Sequence, residues 1–177
     1  MTYSLYLYPA SPPCPEVNTH QLAHCLIENR LAVKRADEIQ FQPGDKLMAF
    51  INFLGCSPAL SSGHLDSLIK IHAFEQMVAL GGESINALRY PQCKHRIENP
   101  TELLQGYPEH RDWTCPVCQN HGYIDEINWR KSAGFACMFI EISAIFPKEA
   151  VPTDALLALL KACTEAEWQW FYSRASF

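Results

Sequence analysis

Cys115-Pro116-Val117-Cys118 places two thiols on one tight turn, and a thiolate pair held in that way is half of a metal clamp. Tyr90-Pro91-Gln92-Cys93 has the same x-Pro-x-Cys form, and 21 residues (94–114) separate the two. In such a turn the backbone amides point toward the sulfurs. Two Cys-Pro-x-Cys turns at this spacing build a tetrahedral four-thiolate zinc site. Here the first turn lacks its leading cysteine. Tyr90 stands in that place, and tyrosine is not among the usual zinc ligands. Three readings are open. In one, a histidine completes a site of three cysteines and one histidine: His95 is two residues past Cys93, His121 is three past Cys118, and His110 lies in the loop between the turns. In another, the metal has been lost and Tyr90 fills the space by packing. In the third, the match is accidental. The candidate ligands are therefore Cys93, Cys115, Cys118, His95 and His121, with zinc as the ion or no ion at all.

This stretch resembles the zinc ribbon, a module built on two such knuckles, and the resemblance covers about 40 of the 177 residues. It implies a structural role, because four protein ligands leave no position for a reacting water. Phe53-Leu54-Gly55-Cys56-Ser57-Pro58 and Trp168-Gln169-Trp170-Phe171-Tyr172 flank the knuckle pair, and they are similar to uncharacterised bacterial proteins. That similarity implies a bacterial origin and carries no activity with it.

Other residues could do chemistry. Cys115 and Cys118 also have the form of a thiol–disulfide redox pair, which needs its first cysteine at a helix N-terminus. Gln119–Asp125 shows no helical stripe and is interrupted by Gly122. Cys56 could act as a nucleophile with His64 or His72 as its base, or be a buried strand-end cysteine. Glu141, set among apolar neighbours, must be paired or its pKa must rise; it is read as a structural group before an acid or base. Arg89, Lys94, His95 and Arg96 surround Tyr90 and could contact nucleic acid, although the chain carries a net charge of −5. Trp168, Trp170 and Tyr172 share one face of a strand, either packed under a helix or exposed as protein-binding anchors. Gly-rich phosphate loops, H-E-x-x-H, G-x-S-x-G and the zinc-deaminase pattern are absent from the sequence.

The elements that must hold these residues follow from pattern and punctuation. Tyr3–Tyr8 alternates and reads as a strand, and Pro9–Pro15 reads as a loop. Asn18 caps a helix with Gln21 at the capping-box position and an apolar stripe of Leu22, Cys25 and Leu26. Pro43-Gly44-Asp45 is a turn. Lys46–Leu54 and Leu68–Phe74 read as strands, and Gly81-Gly82 ends the half. Phe135–Phe146 is a strand buried on both faces. Thr153 caps a helix with the stripe Leu156, Leu157, Leu160 and Cys163, and Trp168–Tyr172 closes as an aromatic strand. This pattern predicts an α+β fold: a mixed or antiparallel sheet with two helices, ferredoxin-like in one form, carrying an inserted zinc-ribbon-like β-hairpin module. Residues 1–84 and 129–177 form one domain in this reading, and 85–128 form the insert.

Hydrophobic residues make up 48% of the chain, which is enough for a core and too much for intrinsic disorder. The N-terminus has no basic region followed by an apolar run, so the expected compartment is the cytoplasm and the eight cysteines are expected to be mostly thiols or metal ligands. The expected function is non-enzymatic: a protein-binding or self-associating adaptor, without nucleic acid or membrane. A thiol-dependent enzyme using Cys115/Cys118 or Cys56 is the alternative, and a nucleic-acid-binding ribbon is a further one.

Overall fold

A computed structural model describes residues 3–34, 40–54, 67–82, 88–145 and 149–174. Strand β1 (Tyr3–Ser11) turns Leu5 and Leu7 to one face of the sheet, and Ser4, Tyr6 and Tyr8 to the other. Helix α1 (Thr19–Glu28) starts at the expected capping box: the Asn18 side chain accepts from Gln21 N (2.9 Å) and the Gln21 side chain accepts from Asn18 N (3.0 Å). A hairpin follows, β2 (Ala32–Lys34) with β3 (Gln40–Pro43). Next come the short helix α2 (Leu47–Phe50), β4 (Ile51–Phe53) and the long β5 (Ile69–Gly81). The middle of the chain holds α3 (Pro100–Gln105), β6 (Asp112–Thr114) and β7 (His121–Tyr123). The last elements are β8 (Ala133–Ile145), β9 (Ala150–Pro152), α4 (Asp154–Thr164) and β10 (Glu167–Ser173).

The main sheet has the order β10-β1-β8-β5-β3-β2, with every neighbouring pair antiparallel. Strands β1 and β5 therefore run parallel with β8 between them, the split β-α-β arrangement of a ferredoxin-like sheet. Helices α1 and α4 cover one face. Beneath them Leu5, Leu7, Ile69, Ile71, Met138, Ile140, Ile142, Leu156 and Leu160 form the principal core. Burial of each such side chain is worth about 1.5–3 kcal/mol.

The register of β5 against β8 breaks between Ala73 and Val78. The break splits both strands between two cores. On one side of it Met138, Ile140 and Ile142 meet the helices. On the other, Ala133 and Phe135, with Met77 and Ala79, join the buried residues of the segment between β5 and β8: Leu88, Tyr90, Ile97, Tyr107, Trp113, Cys115, Ile124, Ile127 and Trp129.

Two expectations are corrected here. Lys46–Leu54 is not one strand. Leu47 and Ile51, four residues apart, are both buried, which is helical spacing; the run makes one turn of helix and then a three-residue strand that pairs with β9. The cysteines are not mostly thiols either. Cys14 is bonded to Cys137 and Cys25 to Cys163, so four of the seven described cysteines are in disulfides. Cys25 lies on the buried stripe of α1 and Cys163 on α4, so the same packing that covers the sheet brings these sulfurs together. Cys137 lies opposite the register break, where its N–H donates to Pro13 O (3.1 Å). Intracellular reducing conditions disfavour such bonds, so the cysteine chemistry no longer supports the cytoplasmic expectation. No described helix is long and apolar enough to cross a membrane.

The bridges close loops with sequence separations of 123 and 138, and loops of that length give disulfides about 2–5 kcal/mol of stabilisation. Alkylation of the denatured, unreduced protein should leave Cys14, Cys25, Cys137 and Cys163 unmodified in a peptide map, and prior reduction should expose all four.

Candidate metal centre

The two x-Pro-x-Cys turns have the same backbone. In the second, Cys115 N donates to Asn120 O (2.8 Å) and Gln119 N donates to Cys115 O (3.0 Å). In the first, Tyr90 N donates to His95 O (3.0 Å) and Lys94 N donates to Tyr90 O (3.1 Å). Gln119 and Lys94, each next after a cysteine, are both left-handed, with φ of 58° and 60°. The flanking pairs match as well: Thr114 faces His121 across the β6–β7 hairpin, and Arg89 bridges Arg96. Tyr90 thus holds the backbone position of a leading knuckle cysteine.

The turns bring three sulfurs together. Those of Cys93, Cys115 and Cys118 all lie within 4.8 Å of one another, and the Cys93 and Cys115 sulfurs are 3.5 Å apart. Burial pushes the Cys115 thiol up, but the backbone N–H groups of Cys118 and Val117 and the neighbouring thiols outweigh it, and its pKa falls below the ordinary value. For Cys93 the His95 N–H favours the thiolate, yet desolvation and the two other cysteines prevail and its pKa rises. Three close thiols cannot all ionise unless a cation shares the site, and metal binding would release their protons.

Tyr90 is buried, with its ring 5.0 Å from that of Trp113. Burial raises its pKa, and the charges of Cys115, Cys93 and Cys118 raise it further, so the phenol lies within the field of the sulfurs. Trp113 is fixed in turn by its indole N–H, which donates to Tyr123 O (3.0 Å). Its ring lies against Gly122, where a Cβ would be 2.9 Å from Cζ2. That close approach requires glycine in β7 and accounts for the residue that breaks any helical reading of 119–125.

The histidines do not join the cluster. No ligand atom of His95, His110 or His121 lies within 4.8 Å of all three sulfurs. His121 is exposed in β7, and His110 follows α3, with its N–H donating to Gly106 O (2.7 Å). The site present is a three-cysteine cluster, with Tyr90 where the fourth ligand of a ribbon would be. Tyr90 filling the space by packing is one of the three readings open from the sequence; the repeated backbone of the two turns adds that a cysteine there would be correctly placed.

The other candidate residues are placed as follows. Cys115 and Cys118 are followed by a strand, so no helix N-terminus activates them. Arg89 donates to Lys94 O (2.8 Å) and Lys94 to Pro91 O (2.6 Å), so both side chains fasten the knuckle's own backbone, and Tyr90 offers no free ring face for a base. Cys56 and His64 lie outside the described residues. Glu141 is buried and fully paired: Ser4 Oγ donates to Oε1 (2.7 Å) and His72 Nε2 lies 2.8 Å from Oε2. The serine is bonded to the carboxylate and not to the imidazole, so this is no activated nucleophile. Desolvation works against the Glu141 carboxylate, but His72, Ser4 and Lys70 more than offset it and hold its pKa below the usual range. Trp168 is in the core under α4, its N–H donating to Thr164 Oγ1 (2.8 Å). Trp170 and Tyr172 are half-buried, and the Tyr172 hydroxyl donates to Ala150 O (2.7 Å).

Comparison with protein families, characterised proteins and solved structures found no match.

Two outcomes follow from this geometry. Tyr90→Cys should convert the three-thiolate site to a four-thiolate one and tighten zinc binding on the order of 100-fold in a chelator competition, since about 10–16 kcal/mol over four ligands is roughly 3 kcal/mol each. Glu141→Gln should cost about 1–3 kcal/mol near neutral pH. A carboxylate with a lowered folded pKa stabilises above its unfolded pKa and loses that contribution as pH falls through the folded value. The melting-temperature gap between wild type and Glu141→Gln should therefore be widest above pH ~5 and narrow below ~4.

Proposed function

We propose that Cys93, Cys115 and Cys118 hold a zinc ion, and that this clamp stiffens residues 85–128 into an inserted platform through which the protein binds another protein. The observation that carries the reading is the meeting of three sulfurs from two matching knuckles. Thiolate ligands suit zinc among divalent ions. The ion would be structural, tying the Tyr90 turn to the β6–β7 hairpin, and the fourth position would fall on the Tyr90 side. Two exposed apolar side chains, Val117 (64% exposed) at the knuckle tip and Tyr123 (48% exposed) at the end of β7, support a contact role for the module. A second reading, thiol chemistry, is favoured by one distance: without a metal, sulfurs 3.5 Å apart are placed to form a disulfide by exchange with an external disulfide, which is reduced to two thiols as Cys93 and Cys115 are oxidised.

Elemental mass spectrometry of protein purified without added metal or chelator should find about one zinc per chain, lost in Cys118→Ser. Absence of zinc together with a Cys93–Cys115 bond in the peptide map would overturn the metal reading in favour of the thiol one. Val117→Asp with Tyr123→Asp should retain the zinc and abolish recovery of a partner, or self-association, in a low-salt pull-down.

A further inference from the structure

A cleft of about 560 Å³ lies where the end of the 88–131 segment meets β1 and β10, with none of Cys93, Cys115 and Cys118 in its lining. Its volume is in the range that small-molecule sites occupy. Ile127, Ala133 and Phe135 supply an apolar lining, joined by the Trp129 ring, 5.7 Å from that of Phe135.

Four of the residues lining it, Arg130, Lys131, Gln169 and Trp170, carry side-chain hydrogen-bond donors with no acceptor among the described residues. Arg130 and Lys131 lie on its rim, and neither side chain has an ion pair or hydrogen bond among those residues. Lys131 is nonetheless fixed, its ammonium 3.4 Å from the centroid of the Trp170 ring. Lys131 is exposed overall, and partial desolvation lowers its pKa. The indoles of Trp113, Trp129 and Trp168 all donate to protein acceptors, whereas that of Trp170 has none among the described residues. Gln169 uses its carbonyl to accept from the Tyr8 hydroxyl (3.2 Å), which leaves its amide nitrogen without an acceptor there. The one carboxylate in the lining, Asp125, is already held by two nitrogens of Arg111 (3.0 and 2.6 Å).

The backbone that presents the two cations is an unusual one. Ser132 N donates to Trp129 O (3.0 Å), and the two residues inside this turn, Arg130 and Lys131, have φ of 51° and 59°. Two successive left-handed residues are the pattern of a type I′ turn, where Asn-Gly is favoured. A long side chain with a Cβ is strained in that conformation. Strain of this kind concentrates where a site needs a particular group in place. Asn128 supports the turn, its Oδ1 accepting from Arg130 N (3.0 Å).

We infer that this cleft binds a flat organic anion, with its charged head on Lys131 and Arg130 and its ring against the Phe135–Trp129 lining. A carboxylate and a phosphate ester share this chemistry. The site needs nothing from the three cysteines and stands independently of the metal reading.

Titration of the full-length, 15N-labelled protein with benzoate and with phenyl phosphate tests the inference, with benzyl alcohol as the uncharged control. The Trp170 indole N–H resonance should shift saturably with at least one anion, and at least tenfold more tightly than with benzyl alcohol. Response to benzoate alone assigns a carboxylate, to phenyl phosphate alone a phosphate ester, and to both a site that reads charge. Lys131→Met should weaken the responding anion at least tenfold with the rest of the spectrum preserved, and Arg130→Gln should weaken it in the same direction. The inference is overturned if neither anion moves Trp170 at millimolar concentration, if benzyl alcohol binds as well, or if Lys131→Met binds as tightly as wild type.

Discussion

Three sulfur atoms within 4.8 Å of one another present an electrostatic problem to the chain that gathers them. As thiolates they repel, as thiols they are weakly held together, and a divalent cation resolves the conflict. The structure of the 88–131 segment is organised around that meeting. Its buried side chains are the rings of Tyr90, Tyr107, Trp113 and Trp129 with Leu88, Ile97, Ile124 and Ile127 and the Cys115 thiol, and its described strands are three residues long. Segments with so little regular structure gain stability from a cross-link or a metal more readily than from packing alone.

The sheet supplies the rigid support. Strands β5 and β8 run past the helix-covered core and carry Met77, Ala79, Ala133 and Phe135 into the second one. The register break at Ala73–Val78 lets one pair of strands serve both cores. Two disulfides reinforce the arrangement, one joining α1 to α4 and the other tying the loop after β1 to β8. The Ser4–Glu141–His72 group adds a buried polar tie between β1, β8 and β5 on the face away from the helices.

Local signals were legible in the sequence wherever they act over a few residues. The caps at Asn18 and Thr153, the glycines ending β5, the doubly buried β8 and the two knuckles all depend on neighbours in the chain. What could not be read depends on distant partners. Cys25 and Cys163 each look like one more apolar position on a helical stripe, and only the packing of α1 on α4 shows them bonded. Nearness of a histidine to the knuckles in sequence does not bring its ring nitrogen within 4.8 Å of all three sulfurs: His95 reaches Cys93 through its backbone N–H. Lys46–Leu54 misleads because a short apolar run fits a helical turn as well as a strand. The Trp168-Gln169-Trp170 run gives no sign that one indole is sunk in the core while the other lines a cleft with Lys131, because that depends on a turn far away in sequence.

The central claim is that three sulfurs of this chain bind one zinc ion. X-ray absorption at the zinc edge of the purified protein tests it most directly. The account predicts a first shell of three sulfur scatterers at about 2.3 Å and one oxygen or nitrogen scatterer at about 2.0 Å. A first shell made of oxygen and nitrogen alone would contradict it, since the ion would then be bound elsewhere and the knuckle cysteines would hold nothing.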